Sequence, residues 1–380
     1  MKFFKGFSNQ NDCVAAVGEA TSWHDPSESY DMVFVFYSGQ IDGSDVTREL
    51  HRKFPNTPIA GCSTAGEHLA GKHYNEYLIV TAIQSPGTRW SVGLLKDLDK
   101  VTVEATRQCF DETLKSIDLD RNDLNPKRNF VVNFVDGLSS MEEELVACMV
   151  ESFEGIPFLG GSAGDNLQFK QTHVLCDQGA YSNAAVFVVV DTDFDFSIVK
   201  HQHFETEPTD LVVTSATESE RKVHSIDGMP ARVRYAHLVG CKVEELGPEI
   251  FSQFPLIFSA DGEYYVRSIL SANDDDSLSF YCAIEEGMVL EVASHRNMQP
   301  ELEKDLTEAK KSFEKIDLFL VCNCILRSLE SIAKNNHDDL GKLMTNLTDN
   351  VVGFDTYGEQ LNGLHINQTL VGLILGKKAA

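Results

Sequence analysis

The chain has 380 residues, of which 42% are hydrophobic and 9% aromatic, so it can bury a large core and is expected to fold into two or three domains. Its 58 acidic residues exceed its 32 basic ones, and the net charge of −26 disfavours nucleic acid and anionic lipid headgroups as partners. No apolar run approaches the ~20 residues of a membrane-spanning helix, and the polar start of the chain does not resemble a signal peptide. Nine scattered cysteines indicate reduced thiols, so we expect a cytoplasmic protein.

The first predicted unit covers residues 31–83 and consists of a strand, a helix, a glycine-rich turn and a second strand. Its first strand is an apolar run that ends in a turn at Gly39. Apolar residues recur at helical spacing within 46–54 and predict an amphipathic helix. The turn Gly-Cys-Ser-Thr-Ala-Gly-Glu at 61–67 then leads into an apolar strand at 77–83.

A second copy of this unit covers residues 129–191. Its first strand ends at Gly137, an amphipathic helix follows, and the turn Gly-Gly-Ser-Ala-Gly-Asp at 160–165 precedes another apolar strand. Gly39 and Gly66 are 27 positions apart, as are Gly137 and Gly164. This equal spacing indicates an internal repeat.

A third, looser copy covers residues 317–376 and contains the turn Gly-Phe-Asp-Thr-Tyr-Gly-Glu. Between the second and third copies, short alternating runs around a polar turn at 272–276 predict antiparallel strands. The fold class is therefore predicted as mixed α/β, or α+β, with layered sheets that carry helices. We predict two domains, 1–222 and 223–380, the second of which includes the third repeat.

Several separated motifs resemble the FIST-domain sensory proteins, in which a FIST N domain precedes a FIST C domain. These motifs are the first two glycine turns, Ile-Asp-Gly-Met-Pro-Ala at 226–231, Tyr-Gly-Glu at 357–359 and Asn-Gln-Thr at 367–369. The resemblance covers roughly residues 30 to 376. It implies a sensory role in signal transduction, and no enzymatic activity.

Within the family the chain looks most like the haem-binding, nitric-oxide-sensing members called NosP. This narrower resemblance depends on Gln-His-Phe at 202–204, Arg-Lys-Val-His at 221–224, and Glu359 and Gln360 with His365. It implies haem b as cofactor, nitric oxide as signal, and a sensor histidine kinase or cyclic-di-GMP enzyme as partner. A homodimer is a further expectation. Ile366 separates His365 from Asn367, whereas many family members place the histidine directly before the asparagine.

Haem iron needs a histidine with a free lone pair, and the two propionates need cations. Of the twelve histidines, we rank His224 first as the axial ligand, then His203 and His365. Arg232 and Arg234 are the candidate propionate contacts, although an Arg-x-Arg pair is also typical of an exposed helix face. The absence of Cys-x-x-Cys-His excludes covalent haem attachment. No ligand role is expected for a set of histidines in polar turns or helices, namely His24, His51, His68, His73, His295 and His337.

The glycine turns allow other functions. Gly-Gly-Ser-Ala-Gly matches the nucleophile elbow of esterases. The repeat, however, aligns Ser162 with Thr64 and Thr356, which indicates a turn-stabilising hydroxyl. It also predicts a strand after the turn, where a nucleophile elbow needs a helix. A phosphate loop is disfavoured because a carboxylate ends each turn where that loop has lysine. These carboxylates, Glu67, Asp165 and Glu359, could bind the ammonium of a small polar ligand such as an amino acid, or could accept backbone N–H bonds that stiffen the turn. A FIST sensor of a small polar ligand, without haem, is therefore the alternative function.

Overall fold

The computed structural model describes residues 1–38, 41–177, 179–206, 209–260 and 263–379. Gly39, where the first repeat was predicted to turn, lies outside the described residues. The helices of the described part are α1 Cys13–Ala20, α2 Gly43–Lys53, α3 Val103–Lys115, α4 Glu142–Phe153, α5 Ala231–Val239, α6 Pro248–Gln253, α7 Met298–Lys311, α8 Ile325–Ala333 and α9 His337–Thr345.

The strands are β1 Lys2–Ser8, β2 Met32–Ser38, β3 Ile59–Thr64, β4 Glu67–Leu69, β5 Lys72–Tyr74, β6 Leu78–Gln84, β7 Thr88–Lys96, β8 Asn129–Val135, β9 Phe158–Ser162, β10 Val174–Cys176, β11 Gly179–Tyr181, β12 Ala184–Thr192, β13 Asp195–His201, β14 Phe204–Thr206, β15 Leu211–Thr217, β16 Lys222–Ile226, β17 Met229–Pro230, β18 Leu256–Ala260, β19 Glu263–Arg267, β20 Ile269–Ala272, β21 Leu278–Phe280, β22 Val289–His295, β23 Phe313–Cys324, β24 Val351–Thr356, β25 Glu359–Leu361, β26 Leu364–Ile366 and β27 Leu370–Lys378. This mixture of several sheets with helices confirms the predicted fold class.

The chain divides into two compact units. The first contains Met1–Lys200, Glu303–Leu364 and Leu370–Ala380, and the second contains His201–Leu302 and His365–Thr369. Among the described residues, no helix is both long enough and apolar enough to cross a membrane.

In the first unit, three sheets each have the long strands of one repeat at their centre. The two strands that flank the repeat's helix or helices pair in parallel: β2 with β3, β8 with β9, and β23 with β24. The third strand after each glycine turn, β6, β12 or β27, pairs antiparallel with the first strand of its own repeat. The equal spacing of the first two repeats thus corresponds to one supersecondary unit built three times.

Each repeat buries one face of its helix against its own strands. In the second repeat, Leu145, Met149 and Phe153 on α4 pack with Val131 on β8 and Phe187 on β12, and all five are at most 1% exposed. Burial of a side chain of this size contributes roughly 1.5–3 kcal/mol. The 3.6-residue spacing of apolar residues that predicted the helix therefore reflects its contact with the sheet.

The third repeat belongs to the first compact unit, although in sequence it lies in the predicted C-terminal domain, which starts at residue 223. The difference arises from strand pairing: β24 pairs with β4 of the first repeat, and β25 pairs with β9 of the second. Sequence patterns carry no signal for pairing between such distant segments. Most of the second unit, His201–Leu302, is consequently inserted between two parts of the first.

The glycine-rich segments are only partly turns. Gly61 and Gly353 lie inside β3 and β24, where a Cβ atom would stand 1.7 Å and 1.9 Å from the carbonyl oxygens of Val35 and Val321. The first glycine of the repeat is therefore required for close approach of the neighbouring parallel strand. The chain turns only afterwards, at Gly66 in the first repeat, where φ is +155°.

The second unit is built on one sheet with the strand order β19-β18-β22-β15-β16-β21-β20, to which β14 and β17 add at the side. Its pairings are antiparallel, which confirms the alternating strands predicted around residues 264–283. A cluster of apolar side chains that includes Leu211, Val223, Tyr235 and Leu290 forms its core.

Candidate functional site

A short hairpin in the first unit aligns two histidines. Strands β4 and β5 pair antiparallel with His68 opposite His73, and Ala70 and Gly71 between the strands both have positive φ, as a two-residue hairpin turn requires. Strand β24 pairs with the other edge of β4, which brings Asp355 to the same place. Three side chains capable of binding a metal therefore converge from two repeats.

Asp355 is the centre of this histidine–aspartate cluster and is fully buried. Its Oδ1 atom lies 2.7 Å from His68 Nε2, and its Oδ2 atom lies 2.8 Å from His73 Nε2. Ser328 Oγ and Asn323 Nδ2 also donate to Oδ1, at 2.7 Å and 2.8 Å. The carboxylate is thus fully hydrogen-bonded without water.

His337 at the start of α9 adds a third imidazole. Its ring centroid lies 4.5 Å from that of His73 and 6.1 Å from that of His68. Its Nδ1 atom contacts the hydroxyl of Ser331, and that hydroxyl donates to the carbonyl oxygen of Ser328. Because the hydroxyl has one proton, this arrangement gives His337 Nδ1 the role of donor and leaves the lone pair of the neutral ring on Nε2.

The charges of the cluster follow from its burial and contacts. Burial alone would raise the pKa of Asp355, but His68 and His73 hold it well below its usual range. Burial opposes protonation of His73, yet the hydrogen bond to Asp355 raises the pKa of His73 overall. Burial and the two neighbouring imidazoles lower the pKa of His337 to about 4. At neutral pH the cluster therefore contains a carboxylate and at least one neutral imidazole.

The carboxylates that end the glycine turns accept local hydrogen bonds. Glu67 is fully buried and accepts from the hydroxyls of Ser38 and Thr64, and Glu359 accepts from Thr356 in the same way. Asp165 accepts the backbone N–H groups of residues 169–171 and the hydroxyl of Tyr357. Asp165 therefore has the backbone N–H contacts of the turn-stiffening role that we weighed against ammonium binding, whereas the cited contacts of Glu67 and Glu359 come from hydroxyls.

Ser162 does not have the surroundings of a nucleophile elbow. The residue lies at the end of β9, is fully buried, and accepts a hydrogen bond from Gln360 Nε2 at 3.0 Å. The segment that follows is irregular and leads to strand β10, where an elbow is followed by a helix. The repeat-based interpretation of this serine agrees with its geometry.

His224, the first-ranked haem ligand, lies on β16 and is half-buried, with its Nε2 atom 2.9 Å from Thr217 Oγ1. The two arginines on α5 are engaged by carboxylates. Arg234 Nε donates to Asp227 at 2.9 Å, and Arg232 NH1 lies 3.8 Å from Asp276. Propionates would have to compete with these aspartates.

His203, the second-ranked ligand, is 1% exposed, and its Nε2 atom lies 3.0 Å from Nδ1 of His295. His295 Nε2 contacts the carbonyl oxygen of Ser252 at 2.6 Å, so that nitrogen must carry the proton. The neutral His295 ring then accepts at Nδ1, and His203 donates from Nε2. His201, the last residue of β13, stacks beside His203 in the connection to β14, with ring centroids 6.1 Å apart.

His365, the third candidate, lies on β26 and is 3% exposed. Its carbonyl oxygen accepts from Arg267 NH1 at 3.2 Å, which places a buried guanidinium beside it. Within the part of the chain that the structure describes, Arg267 Nε and both polar atoms of the Asn367 side chain have no hydrogen-bond partner. Asn367 is 1% exposed and bridges to Val266 through its backbone. We call Arg267, Asn367 and His365 the arginine–asparagine group.

Sequence reasoning missed the histidine–aspartate cluster and set aside His68, His73 and His337. Two histidines five positions apart across a hairpin with Gly71 in its turn are the local signal that could have indicated the first pair. Asp355 is 287 positions from His68, and no local pattern connects them.

Comparisons with known proteins give the family. The sequence model described as the FIST N domain matches residues 31–229, and the FIST C domain matches residues 231–362. The chain is also similar to the uncharacterized protein MJ1623 of Methanocaldococcus jannaschii, with 23% identity over an alignment that covers 86% of this chain and 69% of that protein.

Among solved structures, a chorismatase crystal structure aligns over 98% of both chains with 11% identity and a TM-score of 0.39. A similarity this low carries no argument about function. The FIST N match alone spans more than half of the chain, so this protein belongs to the FIST family of sensory, signal-transduction proteins.

Proposed function

We propose that this FIST protein is a nitric oxide sensor that holds haem b in its second unit and regulates a partner histidine kinase or cyclic-di-GMP enzyme. One observation supports it: Arg267 Nε and the Asn367 amide are buried without hydrogen-bond partners among the described residues. A buried polar group without a partner costs roughly 1–3 kcal/mol, which a ligand can recover. A propionate is an anion that accepts N–H bonds from both side chains.

The arginine–asparagine group suits haem better than the arginines on α5. The Nε atoms of Arg232 and Arg267 both lack a hydrogen-bond partner in the described part of the chain. Arg232 and Arg234 each have a carboxylate nearby, Asp276 and Asp227, whereas the ion pairs of the described residues include none for Arg267. His365 is the axial candidate beside Arg267. His224 and His203 remain alternatives, but ligation through Nε2 would break their bonds to Thr217 and His295. Bound haem iron would supply the affinity for nitric oxide.

The test is an absorption titration of the purified chain with hemin, followed by reduction with dithionite and addition of nitric oxide. We expect a sharp Soret band that shifts at each step. Arg267→Gln should lower hemin affinity at least tenfold, while Arg296→Gln, which removes an exposed partner of Glu205, should leave it unchanged. His365→Ala, His224→Ala and His203→Ala then identify the axial ligand. Free-hemin spectra throughout would refute the haem proposal.

A second candidate function is a sensor of a free amino acid or a similar small ligand. The observation that favours it is Asn367 Oδ1, an acceptor without a partner in the described residues, which a ligand ammonium satisfies while Arg267 binds the carboxylate. Thermal-shift measurements with the common amino acids test this function. We expect stabilisation that is lost in Arg267→Gln, whereas hemin binding without any amino-acid effect would exclude it.

A further inference from the structure

The histidine–aspartate cluster of the first unit has the composition of a metal site. His68 Nε2, His73 Nε2 and one Asp355 oxygen lie within 4.8 Å of one another. We propose that these three side chains bind a divalent transition-metal ion, with Zn²⁺ as the best-suited ion and His337 as the fourth ligand. The site is separate from the second unit and does not depend on the proposed function.

The ligand set favours Zn²⁺ over Ca²⁺ or Mg²⁺, which prefer oxygen ligands. Zinc binds imidazole nitrogens and carboxylate oxygens at about 2.0–2.2 Å. Small shifts of the side chains would bring atoms within 4.8 Å of one another to these bond lengths around one ion. Each imidazole can move its proton from Nε2 to Nδ1, so the nitrogens that now donate to Asp355 can bind the metal.

The residues around the cluster resemble the supporting contacts of known metal sites. Asn323 and Ser328 donate to Asp355, and Ser331 contacts His337 through Nδ1. Hydrogen bonds of this kind fix ligand orientation and, for histidine, select the nitrogen that faces the ion. Because Nδ1 of His337 carries the proton, its Nε2 atom already has the free lone pair that metal binding requires.

The backbone at Gly66 passes close to the ligand atoms. A Cβ atom there would stand 2.5 Å from His73 Nε2 and 2.7 Å from Asp355 Oδ2, so a side chain at this position would occupy the space next to both ligand atoms. His73 is also the most accessible of the three ligands, with its side chain 15% exposed. An ion can therefore reach the cluster at the His73 side.

The experiment uses tag-free full-length protein, dialysed against a chelator and titrated with Co²⁺, whose d–d absorption reports tetrahedral nitrogen and oxygen ligation. We expect one Co²⁺ per chain, its displacement by one equivalent of Zn²⁺, and a rise in the midpoint of thermal unfolding with Zn²⁺. His73→Ala should lower the Co²⁺ affinity at least tenfold. His51→Ala, which removes an exposed histidine on α2, is the matched control and should bind like the unaltered chain.

Circular dichroism verifies that each variant folds. If His73→Ala does not fold, His337→Gln is measured in its place. We expect this variant to bind Co²⁺ more weakly and to shift the wavelength of the Co²⁺ d–d bands. Absence of d–d bands in the unaltered protein overturns the metal site, as does an identical titration of the folded ligand variant and the His51→Ala control. In either case the cluster is a hydrogen-bond network only.

Discussion

The histidine–aspartate cluster of the first unit and the arginine–asparagine group of the second are both buried, but their hydrogen-bonding needs are met differently. In the first unit, Asp355 accepts from four protein donors, two of them imidazoles. In the second unit, Arg267 Nε and the Asn367 side chain are buried without partners among the described residues. A satisfied polar cluster stabilises and orients its own members, whereas an unsatisfied one costs stability until a ligand binds. The hydrogen bonds thus distinguish a cluster whose polar groups are satisfied without a ligand from a group that gains partners when a ligand binds.

The largest expected effect is that of Asp355→Asn. The substitution removes the anionic acceptor shared by His68 and His73 and leaves buried donors uncompensated, so we expect a loss of about 3–5 kcal/mol in the free energy of unfolding. Urea unfolding at pH 7 in chelator measures it. Asp339→Asn, at an exposed pair with Lys342, should stay within about 0.5 kcal/mol. If Asp355→Asn and Asp339→Asn were equally stable, the hydrogen bonds of Asp355 would not stabilise the histidine–aspartate cluster.

Glu67 gives a pH-dependent test of the first unit. Burial, only partly offset by hydrogen bonds from Ser38 and Thr64, raises the pKa of Glu67 from 4.5 to about 7. A raised carboxyl pKa contributes stability that is fully present below pH 4.5 and is lost as pH rises through about 7. By linkage, the stability of the unaltered chain relative to Glu67→Gln should fall by roughly 3 kcal/mol between pH 4.5 and 8.

The measurement for Glu67 is urea unfolding at several pH values. Glu308→Gln, on the exposed part of α7, should parallel the unaltered chain throughout. If the unfolding free energy of Glu67→Gln also parallels that of the unaltered chain at every pH, the pKa of Glu67 is the same in the folded and unfolded states. Burial would then not raise the pKa of Glu67.

Asn367→Leu should have the opposite sign to Asp355→Asn. Leucine has a similar volume and removes two unpartnered polar atoms, so in the absence of ligand we expect a gain of about 1 kcal/mol in unfolding free energy together with loss of ligand response. Urea unfolding and the hemin or amino-acid titration measure the two effects. A destabilisation of 2 kcal/mol or more would mean that the side chain is satisfied in the folded protein.

The smallest effect is expected for Arg234→Gln. Arg234 pairs with Asp227 at a partly exposed position, so we expect a stability change below about 1 kcal/mol. Its effect on hemin affinity should be much smaller than that of Arg267→Gln. Comparable losses of hemin affinity in both variants would instead favour the original assignment of propionate contacts to α5.

Much of the fold could be predicted because each repeat contains short-range sequence patterns for its strands and helices. Strands such as β8 and β12 are continuous apolar runs, and α2 and α4 carry apolar residues at helical spacing. The role of Gly61 could not be predicted, since a glycine inside a strand looks like a turn until the carbonyl of Val35 is known to approach it. The packing of the third repeat with the first two in one compact unit could not be predicted for a similar reason, because edge-to-edge strand pairing has no local pattern.

The candidate sites were less predictable. The sequence singled out His365 and Asn367 through a resemblance, but Arg267 entered only when the structure brought β19 beside them. The histidine–aspartate cluster joins segments from the first and third repeats, and its polar members read individually as surface residues. Residues whose chemistry depends on a distant partner are visible only after folding.

The insertion of the second unit has a consequence for synthesis of the chain. Strand β4 and the first-repeat histidines leave the ribosome long before β24 and Asp355, which lie 287 positions later than His68. The edge of β4 that pairs with β24 therefore stays unpaired while His201–Leu302 of the second unit are made, and closure of so long a loop slows folding. An early chain with an open strand edge is a substrate for chaperones and for aggregation, so truncation anywhere before residue 351 should yield an insoluble first unit.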